Sequence, residues 1–196
     1  MWIGCSDSRC PETTIMGLQP GDVFTHRNIA NIVSPTDINT AAVIEYAVAF
    51  LKVKHVVLCG HSSCGGAVAT MNNQRVGGLL ETWLTPLRAV RNAHREELEA
   101  IRDEKERAVR LAELNVEAGV NVLMANATIQ EAIAERGLQV HGIVFDLGSG
   151  RARDLGFGTG KGSYKAIAGT NGDANVVRGK HAMLVFRNDG AAMQAN

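Results

Sequence analysis

Apolar positions along the chain fall either in short unbroken runs or at helical spacing. Trp2 and Ile3 lead into Gly4-Cys5 as the end of a buried strand. A turn-rich stretch follows, marked by Pro11, Gly17, Pro20 and Gly21, and Val23–Arg27 reads as a second short strand. From Asn39 the spacing of Val43, Ala47, Phe50 and Leu51 predicts one face of a helix, with Thr36 or Asn39 as its cap. Lys54–Cys59 is a β-branched apolar run closed by Gly60, as expected of a buried parallel strand.

Cys64-Gly65-Gly66 opens a helix over Ala67–Met71, and Glu81–Glu106 reads as polar helix with a solvated face. The period of Val109, Ala112, Val116, Val120 and Leu123 predicts a long helix. Ala127–Glu135 gives another helix, stopped by Gly137. Val140–Leu147 is the next strand, despite Gly142 in its interior. Strands alternating with helices predict an α/β fold: a mostly parallel sheet with a four-stranded core flanked by helices. From Gly148 the glycines at 156, 158, 160, 162, 169 and 172 crowd a region of little apolar content, so 148–180 is expected to be irregular and mobile. These glycines follow no strand and precede no apolar helix, which argues against a phosphate loop. Ala182–Phe186 is expected as an edge strand, added to this sheet as a fifth strand or to a partner's. The pattern divides the chain into an α/β domain over 1–147 and a glycine-rich tail over 148–196.

Composition narrows the function classes. Twenty basic residues offset twenty acidic ones, so no net field draws the chain to nucleic acid or to a membrane surface. No apolar run approaches the roughly 18 residues that span a bilayer. The start lacks a basic n-region, and four cysteines without a secretory signal point to a reducing, cytoplasmic setting where metal or catalytic roles outrank disulfides. An apolar strand end so near the first residue also leads to the expectation that an N-terminal segment is missing.

Two segments, Cys5-Ser6-Asp7-Ser8-Arg9 and His61-Ser62-Ser63-Cys64, carry the candidate chemistry. Each follows an apolar run and ends in turn residues, which places both at strand ends, where open α/β sheets put their sites. Alone, Cys5 is best read as a buried thiol. Cys64 differs, because it stands at the start of a helix whose dipole and free N–H groups favour thiolate. His61 lies three residues earlier, a spacing that lets both side chains reach one ion. With Cys5 they form a three-ligand zinc set with one open position. Two thiolates weaken the Lewis acidity of such a zinc, which gives weight to Asp7: its carboxylate can accept a hydrogen bond from a metal-bound hydroxide while Arg9 holds it off the metal. The bland reading of Asp7 and Arg9 is a surface ion pair of little worth. Cys59 and Cys10 read as apolar fillers, and Ser8 as a turn residue.

The segments CSDSR and HSSCGG, separated by GDVFTHRNIAN and IEYAVAFLKVKHVVLCG, resemble the β-class carbonic anhydrases from about Trp2 to Leu147. The resemblance implies Cys5, His61 and Cys64 as zinc ligands, one zinc per chain, and Asp7 and Arg9 as a catalytic dyad. It places the Gly65-Gly66 backbone beside the pocket that carbon dioxide or bicarbonate enters. It also implies a homodimer, often paired into tetramers, and reversible hydration of carbon dioxide through zinc-bound hydroxide. N-terminal helices that wrap the partner subunit, and a glutamine before the first strand, belong to the family pattern and are not found in this sequence; Gln19 follows the motif and is no substitute. Two rival functions follow: hydrolysis of carbon disulfide or carbonyl sulfide on the same scaffold, and a catalytically weak or silent zinc-binding paralogue.

Overall fold

In the computed structural model of the chain, residues 1–159 are described in full, and 176–178, 182–187 and 190–195 by their backbone pairing alone. Glycines 160, 162, 169 and 172 lie outside the described residues. Along the chain the elements are β1 (Trp2–Cys5), α1 (Glu12–Met16), β2 (Thr25–Asn28), a 3-10 turn (Ile29–Asn31) and α2 (Ile38–Glu45), which runs on into a π turn (Tyr46–Phe50). Next come β3 (His55–His61), α3 (Gly65–Met71), α4 (Gly78–Trp83), α5 (Thr85–Ala93), α6 (Arg95–Ala100), α7 (Glu104–Ala125), α8 (Ala127–Arg136) and β4 (Gln139–Asp146). The described chain closes with β5 (Arg151–Gly158), β6 (Val176–Arg178), β7 (Ala182–Arg187) and β8 (Gly190–Ala195).

The main sheet has the order β2-β1-β3-β4-β5-β6. Its first four strands are parallel, as the alternating pattern predicts. β5 and β6 join antiparallel. β7 pairs with β8 in a separate two-stranded sheet. The tail therefore differs from expectation in two places. Arg151–Gly158, expected to be irregular, is a strand on β4, with Ala152 buried against Phe145. The strand at Ala182 takes its own hairpin partner instead of the sheet's edge.

Both faces of the central strands are covered, which is why they read as unbroken apolar runs. Val56 and Leu58 pack with Ile3, Val116, Val120 and Leu123 on one face, while Val57 and Cys59 pack with Trp2, Ile15 and Phe145 on the other. Gly142 is a strand residue because α7 lies so close. A Cβ there would stand 2.9 Å from Val116 and 3.0 Å from Val120. Asp103 caps α7 by accepting from the Glu106 N–H at 2.8 Å, and Asn126 caps α8 through Ile129 at 3.1 Å. Gly137 ends α8 in the left-handed region at φ 70°.

The expected face of α2 holds for Val43 and Ala47, which pack on the core with Ile44 and Val48, and fails at its end, where Phe50 is 71% exposed and Leu51 46%. The π turn adds a residue to the last turn and rotates those two side chains outward. The cap is Asp37, accepting from the N–H groups of Asn39 and Thr40, and neither Thr36 nor Asn39. The polar region 81–106 breaks into α4, α5 and α6 at Leu84 and His94.

Candidate metal centre

The C-terminal ends of β1 and β3 lie side by side, because β1 pairs with β3 from Trp2↔Val57 onward. Cys5 ends β1 and His61 ends β3. After His61 the chain turns through Ser63, whose φ is 56°, and Cys64 becomes the residue that opens α3. This turn folds Cys64 back over the strand end. The Sγ atoms of Cys5 and Cys64 and a ring nitrogen of His61 all fall within 4.8 Å of one another, and all three residues are buried.

The imidazole is oriented for this task. His61 Nδ1 donates to the Ser62 carbonyl at 2.9 Å. Its Nε2 is buried and has no hydrogen-bond partner among the described residues. Such a group is costly unless something is meant to occupy its lone pair. A soft donor set of two sulfurs and one imidazole nitrogen, with that nitrogen otherwise orphaned, fits a zinc ion with one position left open.

The three groups of the cluster share protons unequally. The Cys64 thiol beside Cys5 brings the Cys5 pKa down to about 4, with His61 adding to the effect. Cys64 is pushed up by the Cys5 sulfur and by burial, although the N–H groups of Gly66 and Ala67 favour its thiolate. Burial lowers His61, but the sulfurs of Cys10 and Cys5 against the ring outweigh it and raise its pKa to about 10. A cation entering the cluster therefore displaces protons, which ties its affinity to pH.

Asp7 and Arg9 meet in the turn after β1. Arg9 Nε donates to Asp7 Oδ1 at 2.9 Å and its NH2 to Oδ2 at 2.6 Å, while the Arg9 backbone N–H also donates to Oδ1 at 2.9 Å. These bonds hold the Asp7 carboxyl below the usual carboxylate range. Arg9 NH2 also reaches the Ser63 carbonyl at 3.2 Å, so the dyad is tied to the turn that carries Cys64. Gly65 and Gly66 open α3 differently. A Cβ on Gly65 would meet nothing within 4 Å, whereas one on Gly66 would stand 2.9 Å from the Cβ of Ala30. Gly66 is small for packing, and Gly65 faces open space.

Two contributors, Arg27 and Asp146, escape a reading of the sequence, and a third, Cys10, packs as the filler it was expected to be while also touching the site. Arg27 on β2 donates through Nε to the Cys5 carbonyl at 2.8 Å and through NH2 to the Asp7 carbonyl at 2.5 Å, which staples the first loop to its neighbour strand. The Cys10 thiol lies against His61 while packing in the apolar cluster with Cys59. Asp146, at the end of β4, accepts from the Ser62 hydroxyl at 2.7 Å. The only hint of Arg27 in the sequence is its place at the end of a short strand.

A family model described as "Carbonic anhydrase" matches residues 1–152. A carbonic anhydrase of Emericella nidulans is 47% identical over 156 residues, covering 79% of this chain and 68% of that protein. One from Candida albicans is 42% identical over 151 residues, covering 76% of this chain and 53% of that protein. Among solved structures, one of two tetrameric β-carbonic anhydrases of Sordaria macrospora superposes with a TM-score of 0.80 at 73% identity, over 81% of this chain and 80% of that one. The Coccomyxa β-carbonic anhydrase in complex with acetazolamide superposes with a TM-score of 0.74 at 34% identity, over 81% of this chain and 72% of that one.

Proposed function

The chain belongs to the β-class carbonic anhydrase family and is a carbonic anhydrase, and we propose that Cys5, His61 and Cys64 hold one zinc ion for the reversible hydration of carbon dioxide to bicarbonate. The observation that carries this reading is the convergence of two buried sulfurs and an imidazole nitrogen with no hydrogen-bond partner among the described residues. Zinc at such a site supplies Lewis acidity that brings the pKa of a water toward neutrality.

The chain's own residues do the rest. Asp7 is kept ionised by the Arg9 fork and offers its carboxylate as an acceptor, so a water beside it is oriented with a lone pair free for attack. Because both carboxylate oxygens are engaged by Arg9, Asp7 is restrained from joining the ligand set. His61, with its proton on Nδ1, serves as a neutral ligand through Nε2. The opening of α3 at Gly65 leaves room for a small linear substrate beside Cys64, with backbone N–H groups near it.

The same reading takes the working unit as a homodimer or tetramer and its setting as the cytoplasm. Tyr46 and Phe50 stack with ring centroids 5.7 Å apart while exposed by 50% and 71%, and Ile38 and Leu79 are exposed by 84% and 90%, which offers apolar surface to a partner subunit. The Sordaria relative is tetrameric. No helix among the described residues is long and apolar enough to cross a membrane.

The test is zinc content and initial hydration rate on one sample. The expected result is about one zinc per chain with turnover that is lost on chelation and restored by zinc. Zinc-loaded protein that fails to hydrate carbon dioxide would overturn the reading.

A further inference from the structure

His61 and Asp146 stand at the ends of adjacent parallel strands. The register pairs His61 with Phe145, so Asp146 comes level with Ser62. Ser62 is buried and fully engaged. Its N–H donates to the Phe145 carbonyl at 2.9 Å, and its hydroxyl donates to Asp146 Oδ1 at 2.7 Å while accepting from the Leu147 N–H at 2.9 Å. Asp146 is held in turn, since its Oδ2 accepts from the Ser149 N–H at 2.8 Å and the Ser149 hydroxyl at 2.6 Å. The carbonyl of the same residue, Ser62, is the acceptor for His61 Nδ1 at 2.9 Å.

A carbonyl oxygen only accepts, so this last bond fixes a proton on Nδ1 and leaves Nε2 as the atom that can bind a metal. Ligand imidazoles are commonly oriented through their second nitrogen in this way. We propose that Asp146 and Ser62 are positioning residues, a latch between β3 and β4 that sets the direction of the Ser62 carbonyl and thereby the ring orientation and tautomer of His61. This rests on the zinc reading of the cluster. Neither residue touches the substrate. Their effect reaches the site through one peptide group.

The latch uses both oxygens of the Asp146 carboxylate as acceptors. Three donors converge on it: the Ser62 hydroxyl and the two groups of Ser149. An asparagine there would turn an N–H2 toward one of them and leave a mismatched pair.

The test is the zinc dissociation constant of the full chain, measured by competition with a chromophoric chelator, alongside the cobalt-substituted absorption spectrum. Ser62→Ala and Asp146→Asn are expected to weaken zinc binding by about 10–100-fold, as loss of such supporting partners does. Ser62→Thr, which keeps the hydroxyl, should bind zinc more tightly than Ser62→Ala on the same scale. The cobalt spectra of the two weakened variants should lose the wild-type band shape, because the ring is no longer held in one orientation. Asp146→Asn keeps the size of the side chain, so it still decides the matter should Ser62→Ala fail to fold. Wild-type zinc affinity in both Ser62→Ala and Asp146→Asn overturns the latch while the zinc site stands. A Ser62→Thr variant as weak as Ser62→Ala also overturns it. Wild-type protein that takes up no zinc sinks the site assignment instead.

Discussion

Arg9 forks onto Asp7, with Nε 2.9 Å from Oδ1 and NH2 2.6 Å from Oδ2, and the same guanidinium reaches the Ser63 carbonyl in the turn before Cys64. A side chain that is 54% exposed thus spans the two segments that supply the candidate ligands. An exposed ion pair of this kind adds little stability. Its value lies in direction: the fork holds the carboxylate in one orientation and keeps it charged.

Asp7→Ala should therefore cost activity and spare the metal. Removing a positioned acid–base group lowers turnover by about 10²–10⁴-fold. Stopped-flow hydration beside zinc analysis checks this, with zinc content expected near wild type. Arg9→Ala should also lose activity, by freeing Asp7 to approach the ligand set, and Arg9→Lys should not rescue it, because an ammonium cannot fork across both oxygens.

Cys5→Ser and Cys64→Ser should each lose zinc. A serine hydroxyl is a poor replacement for thiolate toward a soft ion, and the two remaining donors do not make a site. Metal analysis after gel filtration reads the loss directly, and full zinc occupancy in either variant would remove that residue from the ligand set. Cys59→Ala, deep in the apolar cluster, should retain zinc and lose some stability.

Gly142→Val tests how closely the long helix rides on the sheet. The new side chain would begin 2.9 Å from Val116 and 3.0 Å from Val120, in a core with no room. Overpacking of this kind costs about 1–3 kcal/mol. At about 2–4 °C per kcal/mol for a chain of this size, the melting temperature should fall by roughly 2–12 °C. An unchanged melting temperature would mean that α7 stands further off.

The candidate site was more legible in the sequence than the fold around it, for a physical reason. Ligand types and spacing are local properties, so Cys5, Asp7, Arg9, His61 and Cys64 could be singled out without any packing. The long helix α7 was legible too, because one apolar face repeats over about four turns, from Val109 to Leu123. The fifth strand was not. Arg151–Gly158 interleaves Arg, Asp and Gly with Ala152, Leu155 and Phe157, and its strand character comes from pairing with β4 rather than from its own pattern. The end of the α2 face, Phe50 and Leu51, failed because a π turn shifts the phase that helical spacing assumes. Arg27, Ser62 and Asp146 were invisible for a third reason. Their partners are far away in sequence, up to 84 residues for Ser62 and Asp146, and only strand register brings them level.

His55 and His141 give the chain a pH-dependent stability away from the cluster. Their rings approach at 3.3 Å, Nδ1 to Nε2, across the β3–β4 pair. Burial lowers both to about 4, and for His55 the His141 charge adds to it. Their unfolded value is about 6.5, so between pH 6.5 and 4 the unfolded chain binds more protons. Stability from this source is present above pH 6.5 and lost as pH falls toward 4. For the more buried His141 it is of order 3 kcal/mol. Urea unfolding across this window should show the loss, and His141→Gln should flatten the slope. An equally steep slope in that variant would place the titration elsewhere.

The central claim is that three side chains grip one cation. It is tested most directly by anomalous diffraction at the zinc edge from zinc-loaded crystals. The account predicts one strong peak per chain, about 2.3 Å from the sulfurs of Cys5 and Cys64 and about 2.0–2.1 Å from Nε2 of His61, with Asp7 still forked to Arg9. A map with no peak among these three side chains, or with the metal on Nδ1 and the Ser62 carbonyl turned away, would contradict it.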